Sequence, residues 1–471
     1  MIAPAQRHVV VVGGGISGLA AAWFLRREAA RPGGPDLRVT VLEGSSVVGG
    51  KLRVSDVGGV AVDEGAEALL LRRVEGTALV AAMGLGPDLV EAATSDASIW
   101  SRGHLIPMPA RTVMGVPTDL RGLAASGLLT PLELARIPLD AWLPATDVGD
   151  DIPVGRLVGR RLGRAVVDRL VEPLLGGVYA GHADLLSLDA TVPQLAAHAR
   201  RERSLLAAAR AARENAPSAE GPVFGSLRGG LGRLPAALAR ESGADVRLDS
   251  TVRELRRTLD GWTLTVGPTA APKQVSADAV VLAVPAAPAA RLLRAEVPTA
   301  ATDLAAVAYA SMAIVTLALP AQAVLPAGSG FLVPPVDGRV VKAATFTTNK
   351  WGWYAEEAAG VHVVRLSVGR LGEEAVLQRD DAELAELAWA DLAEAVGPLP
   401  AAVDTRVTRW GGGLPQYAVG HRARVERART AVALQPRLVL CGAAYDGIGI
   451  PACVASAEQA VRELGGQWRH D

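Results

Sequence analysis

The chain has 471 residues, of which half are hydrophobic and 21% charged, and its formal net charge is −1. That length exceeds one ordinary core and predicts two or three globular domains, while the composition excludes a disordered chain. A charge so close to zero gives no electrostatic case for nucleic acid as a partner.

The first predicted element is a strand over residues 8–12, whose four consecutive valines read as buried on both faces. Gly13, Gly15 and Gly18 follow as G-x-G-x-x-G, and an alanine-rich helix runs on to about residue 25. Strand, tight turn and helix are the setting in which this motif holds a dinucleotide. Gly13 makes the turn, Gly15 admits the pyrophosphate, and Gly18 lets helix pack on strand. The loop and helix start at Gly14, Ile16 and Ser17 offer free N–H groups and the positive end of the helix dipole to the phosphates. A second strand over 39–43 ends in Glu43, which precedes Gly44 and lies 25 residues after Gly18. The usual spacing is about 20 residues, and an insertion over 31–36 accounts for the difference. A carboxylate at this point accepts hydrogen bonds from an adenosine ribose and repels a 2′-phosphate.

Gly49, Gly50 and Lys51 come next. The paired glycines let the backbone pass close to a cofactor, and the lysine brings positive charge near its phosphates. Their distance from Glu43 matches large two-domain flavoproteins rather than simple dehydrogenases. Residues 60–67 read as a strand that ends in a small-residue turn, Gly65-Ala66-Glu67, beneath a flavin ring. Arg72 and Arg73 follow at once, either as solvated surface charge or as a cation that reaches a substrate carboxylate.

From residue 86 to 220 the pattern turns helical, with segments over 130–142, 154–175 and 194–215, and a separate helical domain is expected. A glycine-rich stretch over 225–234 returns the chain to the nucleotide-binding sheet. Strands are predicted there over 245–248, 251–255, 262–266 and 279–284, with Val252 placed against an adenine. Strands over 313–319, 330–333 and 361–368, with an acidic helix over 381–396, predict a substrate domain built on a sheet. The chain comes back to the cofactor at Trp410, then ends as strand, Gly442, loop and helix over 452–464. Backbone amides from Gly449 and Ile450 would lie at the flavin edge, where a helix N-terminus stabilises negative charge. The predicted division is a discontinuous cofactor domain (1–85, 221–290 and 406–471), a helical domain (86–220) and a substrate domain (291–405).

Cys441 and Cys453 match no zinc spacing and are expected as free thiols in a reducing cytoplasm. The seven histidines are scattered, so no metal site is predicted. No secretory signal is expected, because the first apolar run reads as the dinucleotide-binding strand itself. The stretch 304–336 carries no charge, but its apolar run of 16 residues is short for a membrane span and prolines interrupt the rest of it. It reads as buried sheet or core helix. Arginines number 44 against four lysines, which sets Lys51, Lys273, Lys342 and Lys350 apart.

With these segments in place, the chain resembles the coproporphyrinogen/protoporphyrinogen oxidase family of the flavin amine-oxidase superfamily, almost end to end. The superfamily part is carried by residues 11–22, by Gly49-Gly50-Lys51 and by the Gly442 unit. More specific are Pro107-Met108-Pro109 with Val113-Met114-Gly115-Val116-Pro117-Thr118, and Glu172-Pro173-Leu174-Leu175-Gly176-Gly177-Val178-Tyr179-Ala180-Gly181. Leu414-Pro415-Gln416-Tyr417-Ala418-Val419-Gly420-His421 and Gly447-Ile448-Gly449-Ile450-Pro451-Ala452-Cys453 complete the set. Together they are similar to the Gram-positive branch, which forms coproporphyrin III. One departure is the lack, over 96–100, of an arginine that binds a propionate in the eukaryotic protoporphyrinogen oxidases.

The resemblance implies an α/β fold with a Rossmann-like FAD-binding domain, a sheet-based substrate domain and an inserted helical domain. It implies FAD at Gly13 to Gly18, Glu43, Gly44, Gly50, Lys51, Gly65 to Ala68, Val252, Trp410, Gly442 and Ile448 to Ile450. The implied reaction is the six-electron oxidation of coproporphyrinogen III to coproporphyrin III in haem biosynthesis. Dioxygen would be the acceptor and hydrogen peroxide the by-product, with handover of product to a ferrochelatase and at most peripheral membrane contact. A substrate with four carboxylates calls for cations, and Arg72, Arg73, Lys342 and Lys350 are the candidates. No catalytic acid or base is evident. Protoporphyrinogen IX oxidation, amine oxidation or desaturation, and non-catalytic porphyrin binding stay open as alternatives.

Overall fold

A computed structural model of the protein describes residues 6–215, 221–357 and 360–468. Its organising sheet has five parallel strands in the order Asp245–Arg247, Leu37–Leu42, Arg7–Val12, Ala279–Leu282 and Leu438–Leu440. The valines of Arg7–Val12 explain its central place. Val9 and Val11 pack among the helices Ile16–Ala29 and Ile450–Trp468, while Val10 and Val12 pack into a second core with Ala286–Leu293 and Pro298–Ala305. All four are at most 3% exposed, as expected of a parallel strand covered on both faces. Strands separated by hundreds of residues thus bring the start, the middle and the end of the chain to one sheet.

A second sheet has seven strands, in the order Asp404–Pro415, Tyr309–Pro320, Val361–Val368, Val341–Phe346, Gly330–Leu332, Ser98–Ser101 and His104–Pro107. Its two faces differ. Ala313, Val315, Ala344, Val364, Leu366 and Val368 are closed over by Leu384, Ala388 and Leu392 of the helix Asp381–Val396. Pairing in register carries Leu332, Ala343, Ser367, Ile314 and Thr408 across the opposite face. There Met312, Leu332, Ala343, Thr345, Ser367 and Thr408 are only half-buried, although they lie on a large sheet. This open face is the floor of the candidate site. The uncharged stretch 304–336 supplies the long buried strand of this sheet, and among the described residues no helix is long and apolar enough to cross a membrane.

Several helices are shorter than their sequence pattern suggests. The segment 154–175 breaks at Gly163, whose φ of +100° suits no L side chain, into Val154–Leu162, Arg164–Val166, a π turn Val167–Val171 and Glu172–Tyr179. Arg136 crosses from the neighbouring helix and donates to the carbonyls of Arg160 (2.8 Å) and Arg161 (3.1 Å), which satisfies orphan carbonyls at the break. The segment 194–215 divides into Pro193–Ala199 and Leu205–Glu214, because Ser204 caps the second helix by accepting from the Ala207 N–H. Strands Ser98–Ser101 and His104–Pro107 join the seven-stranded sheet, whereas the sequence pattern placed 86–220 with the helices. Four residues each are too few to show a period, and Gly330–Leu332, the strand through which Ser98–Ser101 joins the sheet, is far away in the sequence.

Candidate active site

The glycine loop leaves the end of Arg7–Val12 and enters the helix Ile16–Ala29. Gly13 has φ +107°, and a Cβ on it would lie 2.6 Å from the Ala283 carbonyl. A Cβ on Gly18 would overlap the Gly13 carbonyl, so helix and strand meet there backbone to backbone. At Gly15 the same construction meets nothing within 4 Å. The first and last positions of the motif are filled by protein, and the middle one opens onto free space, as a pyrophosphate cradle requires.

Glu43 is fixed beside this loop. One carboxylate oxygen accepts from the Gly14 N–H at 2.6 Å, and the other accepts from the N–H and hydroxyl of Ser45, both at 2.8 Å. The Glu43 carbonyl accepts from Ser250 at 2.7 Å, which brings the start of the strand Val252–Arg257, and half-buried Val252, to the same corner. Gly44 packs against Thr251. On the other side, Gly49 donates to the Gly14 carbonyl at 2.8 Å and Gly50, with φ +60°, lies against Gly15. The two glycine clusters, remote in spacing, form one rim.

Lys51 follows that rim. Burial holds its ammonium below the usual lysine range, and among the described residues nothing hydrogen-bonds or ion-pairs with it. A deep cation without a protein partner, next to an open glycine cradle, suits a phosphate group. Ser17 is buried close by, and Gly442, with φ +127°, would direct a Cβ to 3.7 Å from its hydroxyl oxygen. The Gly442 N–H donates to Ser456 at 3.0 Å, and Ser456 is braced through Asp446 to Arg429. Gly447 (φ +137°), Ile448 and exposed Gly449 then lead into the helix Ile450–Trp468. The residues fit FAD: open space at Gly15, an anchored acid at Glu43, and an unpartnered cation at Lys51.

The segment Gly65-Ala66-Glu67-Ala68 leaves the strand Val60–Asp63 and passes between this rim and the floor of the seven-stranded sheet. Gly65 sits against the Lys51 carbonyl and the Trp410 ring, and Trp410 donates through its indole nitrogen to the Glu64 carbonyl at 3.0 Å. The nearby acids are all engaged. Asp63 accepts from Leu231 (3.0 Å) and Gly232 (3.1 Å), and burial raises its pKa to about 7. Glu64 pairs with Arg406 at 2.9 Å. Glu67 accepts from Lys350 and Arg365, each at 2.6 Å.

The four cations expected for substrate lie in different settings. Arg72 and Arg73 are exposed, and Arg73 pairs with Glu75 at 2.8 Å at the start of the helix Val74–Ala82. Lys342 is the extra residue of a bulge between Val341–Phe346 and Val361–Val368. Its ammonium donates to the Gly369 carbonyl at 2.9 Å, and burial, with the charge of Arg370, lowers its pKa to about 7. Lys350 is bound to Glu67, so two residues assigned separately, one to substrate and one to cofactor, form a single ion pair. Arg365 and Asp63 had no place in the sequence reading. An arginine inside the otherwise buried run Val361–Val368 was the signal for the first.

Comparison with known proteins agrees with this geometry. Residues 16–465 match the model of the family described as flavin containing amine oxidoreductase. The coproporphyrinogen III oxidase of Mycobacterium tuberculosis is 40% identical, with 97% of each chain covered. That of Bacillus subtilis is 32% identical, over 97% of this chain and 98% of its own. A crystal structure from an Exiguobacterium species, provisionally assigned as a protoporphyrinogen oxidase, superposes with a TM-score of 0.85 at 34% identity and covers 98% of this chain and 99% of that one. This chain belongs to the flavin containing amine oxidoreductases, in their coproporphyrinogen and protoporphyrinogen oxidase branch.

Proposed function

We propose that the protein is an FAD-dependent oxidase that converts coproporphyrinogen III to coproporphyrin III in haem biosynthesis. The observation that carries this reading is the half-exposed floor of the seven-stranded sheet, facing a glycine-lined cofactor cradle, in a chain 40% identical to a coproporphyrinogen III oxidase over nearly its whole length. A broad face of Met312, Ile314, Leu332, Ala343, Thr345 and Ser367 suits a flat, largely apolar macrocycle better than a small amine.

Porphyrinogens are electron-rich, and loss of hydride from a meso carbon leaves a cation conjugated with the pyrroles. The reaction therefore needs orientation and exclusion of water more than a strong base. The side chains accord with this, since Asp63, Glu64 and Glu67 are each committed to protein partners. FAD, when bound, supplies hydride acceptance and reoxidation by dioxygen with release of hydrogen peroxide. Glu43 would hold the ribose, the amides around Gly15 and the Lys51 ammonium the pyrophosphate, and the Gly65–Ala68 segment with Trp410 and Ile448 to Ile450 the flavin. Arg72 and Arg73 are the proposed cations for substrate carboxylates, while Lys342 and Lys350 act from inside through their own partners. Work in the cytoplasm, with handover of product to a ferrochelatase, completes the reading. Leu132 and Trp142, more than four-fifths exposed on the helical region, would serve any peripheral membrane contact.

Protoporphyrinogen IX is the second reading, favoured by the assignment of the Exiguobacterium structure. Anaerobic mixing of the FAD-loaded protein with coproporphyrinogen III tests the main one. Bleaching of the visible flavin band supports it, and an unchanged band over many minutes contradicts it.

A further inference from the structure

The floor of the site and the Gly65–Ala68 segment are tied together at one buried point. Glu67 accepts from Lys350 through one carboxylate oxygen and from Arg365 through the other, both at 2.6 Å. A second guanidinium nitrogen of Arg365 donates to the Gly65 carbonyl. Arg365 is 6% exposed, and its register neighbours are Thr316 and Thr345, so it lies on the open face of the sheet next to Ser367. Lys350 ends the short helix Thr347–Lys350, and its ammonium lies 5.0 Å from the Trp351 ring and 5.6 Å from that of Phe224. Phe224 belongs to a strand that pairs with Leu69–Leu70, immediately after the segment. Three charges thus join the sheet floor, the segment after Phe346 and the turn expected beneath the flavin.

The triad has no free acid or base to offer. Burial alone would raise the pKa of Glu67, but Lys350 and Arg365 outweigh that and hold it at about 2. Both carboxylate oxygens are occupied, so Glu67 serves as a charged anchor. A planar guanidinium that grips a carboxylate and a carbonyl together fixes distance and angle more tightly than a single hydrogen bond.

We propose that Arg365, oriented by Glu67 and Lys350, is a positioning residue that sets the separation between the sheet floor and the Gly65–Ala68 segment, and with it the alignment of substrate over flavin. This rests on the function proposed for the site. Lys350 then acts through Glu67, not on a substrate carboxylate.

The test uses the full FAD-loaded chain and the variants Arg365→Lys, which keeps the charge and loses the fork, and Lys350→Met, which removes one arm. Amide hydrogen exchange over 65–71, visible circular dichroism of the bound flavin and stopped-flow reduction by coproporphyrinogen III are compared with the parent. Arg365→Lys is expected to speed exchange of that segment about tenfold and change the flavin dichroism. The limiting rate of flavin reduction should fall about 100-fold with the apparent Kd for porphyrinogen within threefold, the size of loss that a misplacement of about 1 Å produces. Lys350→Met should move the same readouts in the same direction by smaller factors, and it decides the matter if Arg365→Lys fails to fold. Parental exchange and dichroism, with only a lower Tm, would overturn the proposal. If the parent itself leaves porphyrinogen untouched, the functional reading fails, while exchange and dichroism still decide the positioning role.

Discussion

Gly15 and Gly18 belong to one motif yet fail differently when a methyl group is added. Gly15 has extended backbone (φ −74°, ψ 179°) and empty space where a Cβ would stand. Gly15→Ala should therefore leave the Tm of the apoprotein within about 2 °C of the parent and weaken FAD binding at least tenfold, as titration of flavin fluorescence would reveal. At Gly18 the methyl group collides with the Gly13 carbonyl, so Gly18→Ala should destabilise the apoprotein itself by about 3 kcal/mol, in the range of other overpacked sites. Equal apoprotein stability in the two variants would refute this division. Asp63 gives a pH signature. Its folded pKa of about 7 exceeds the ordinary 3.8, so between these values the folded protein holds a proton that the unfolded chain has released. Its contribution to stability is full below pH ~4 and falls as pH rises toward 7. Asp63→Asn removes that titration and should gain on the parent between pH 4 and 8, by on the order of 4 kcal/mol. A stability difference independent of pH would count against the assignment.

At the scale of elements, the helical region is held by a buried ion pair. Arg161 and Asp140 are at most 2% exposed and bonded to each other. Asp140 also accepts from the Ser204 hydroxyl at 2.6 Å and the Leu206 N–H at 2.9 Å. Loss of the carboxylate charge strands a buried guanidinium, so Asp140→Asn is expected to cost about 3–5 kcal/mol, read as an earlier urea midpoint. The double change Asp140→Leu with Arg161→Met should cost far less, because no unpaired charge is left. Equal losses would mean that the pair matters only for its packing. This pair also shows where the sequence was legible. The helix Asp381–Val396 and the strand Val361–Val368 match the reading residue for residue, because each carries its own period and end signals. The interruptions over 154–175 and 194–215 fall at Gly163 and at the Ser204 cap, local signals that the apolar period overrode in the reading, while the bonds that brace them, Arg136 to the Arg161 carbonyl and Ser204 to Asp140, join distant residues and carry no sequence signal.

On the scale of the whole molecule, the clustering of the glycine loops was readable because they approach one another backbone to backbone at fixed spacings. Gly13 to Gly18, Glu43 and Gly49-Gly50 come together at one rim. The substrate side was less readable, since its floor is built by register between distant strands and its charges find partners there. Lys350 and Glu67 are 283 positions apart and share one ion pair, a relation without a sequence signal. The molecule brings three returns of the chain to one five-stranded sheet, and the Gly65–Ala68 segment ties the glycine rim at its end to the open face of a second sheet through Arg365 and Trp410. On the proposed function, the space between them oxidises a porphyrinogen with four carboxylates. That is decided by the appearance of porphyrin fluorescence when the FAD-loaded protein is mixed in air with coproporphyrinogen III and, separately, with protoporphyrinogen IX, with hydrogen peroxide measured alongside. Faster turnover of coproporphyrinogen III is predicted, with three peroxides formed per porphyrin as six electrons pass in pairs to dioxygen. A preference for protoporphyrinogen IX would contradict the substrate assignment, and no fluorescence from either would contradict the reaction itself.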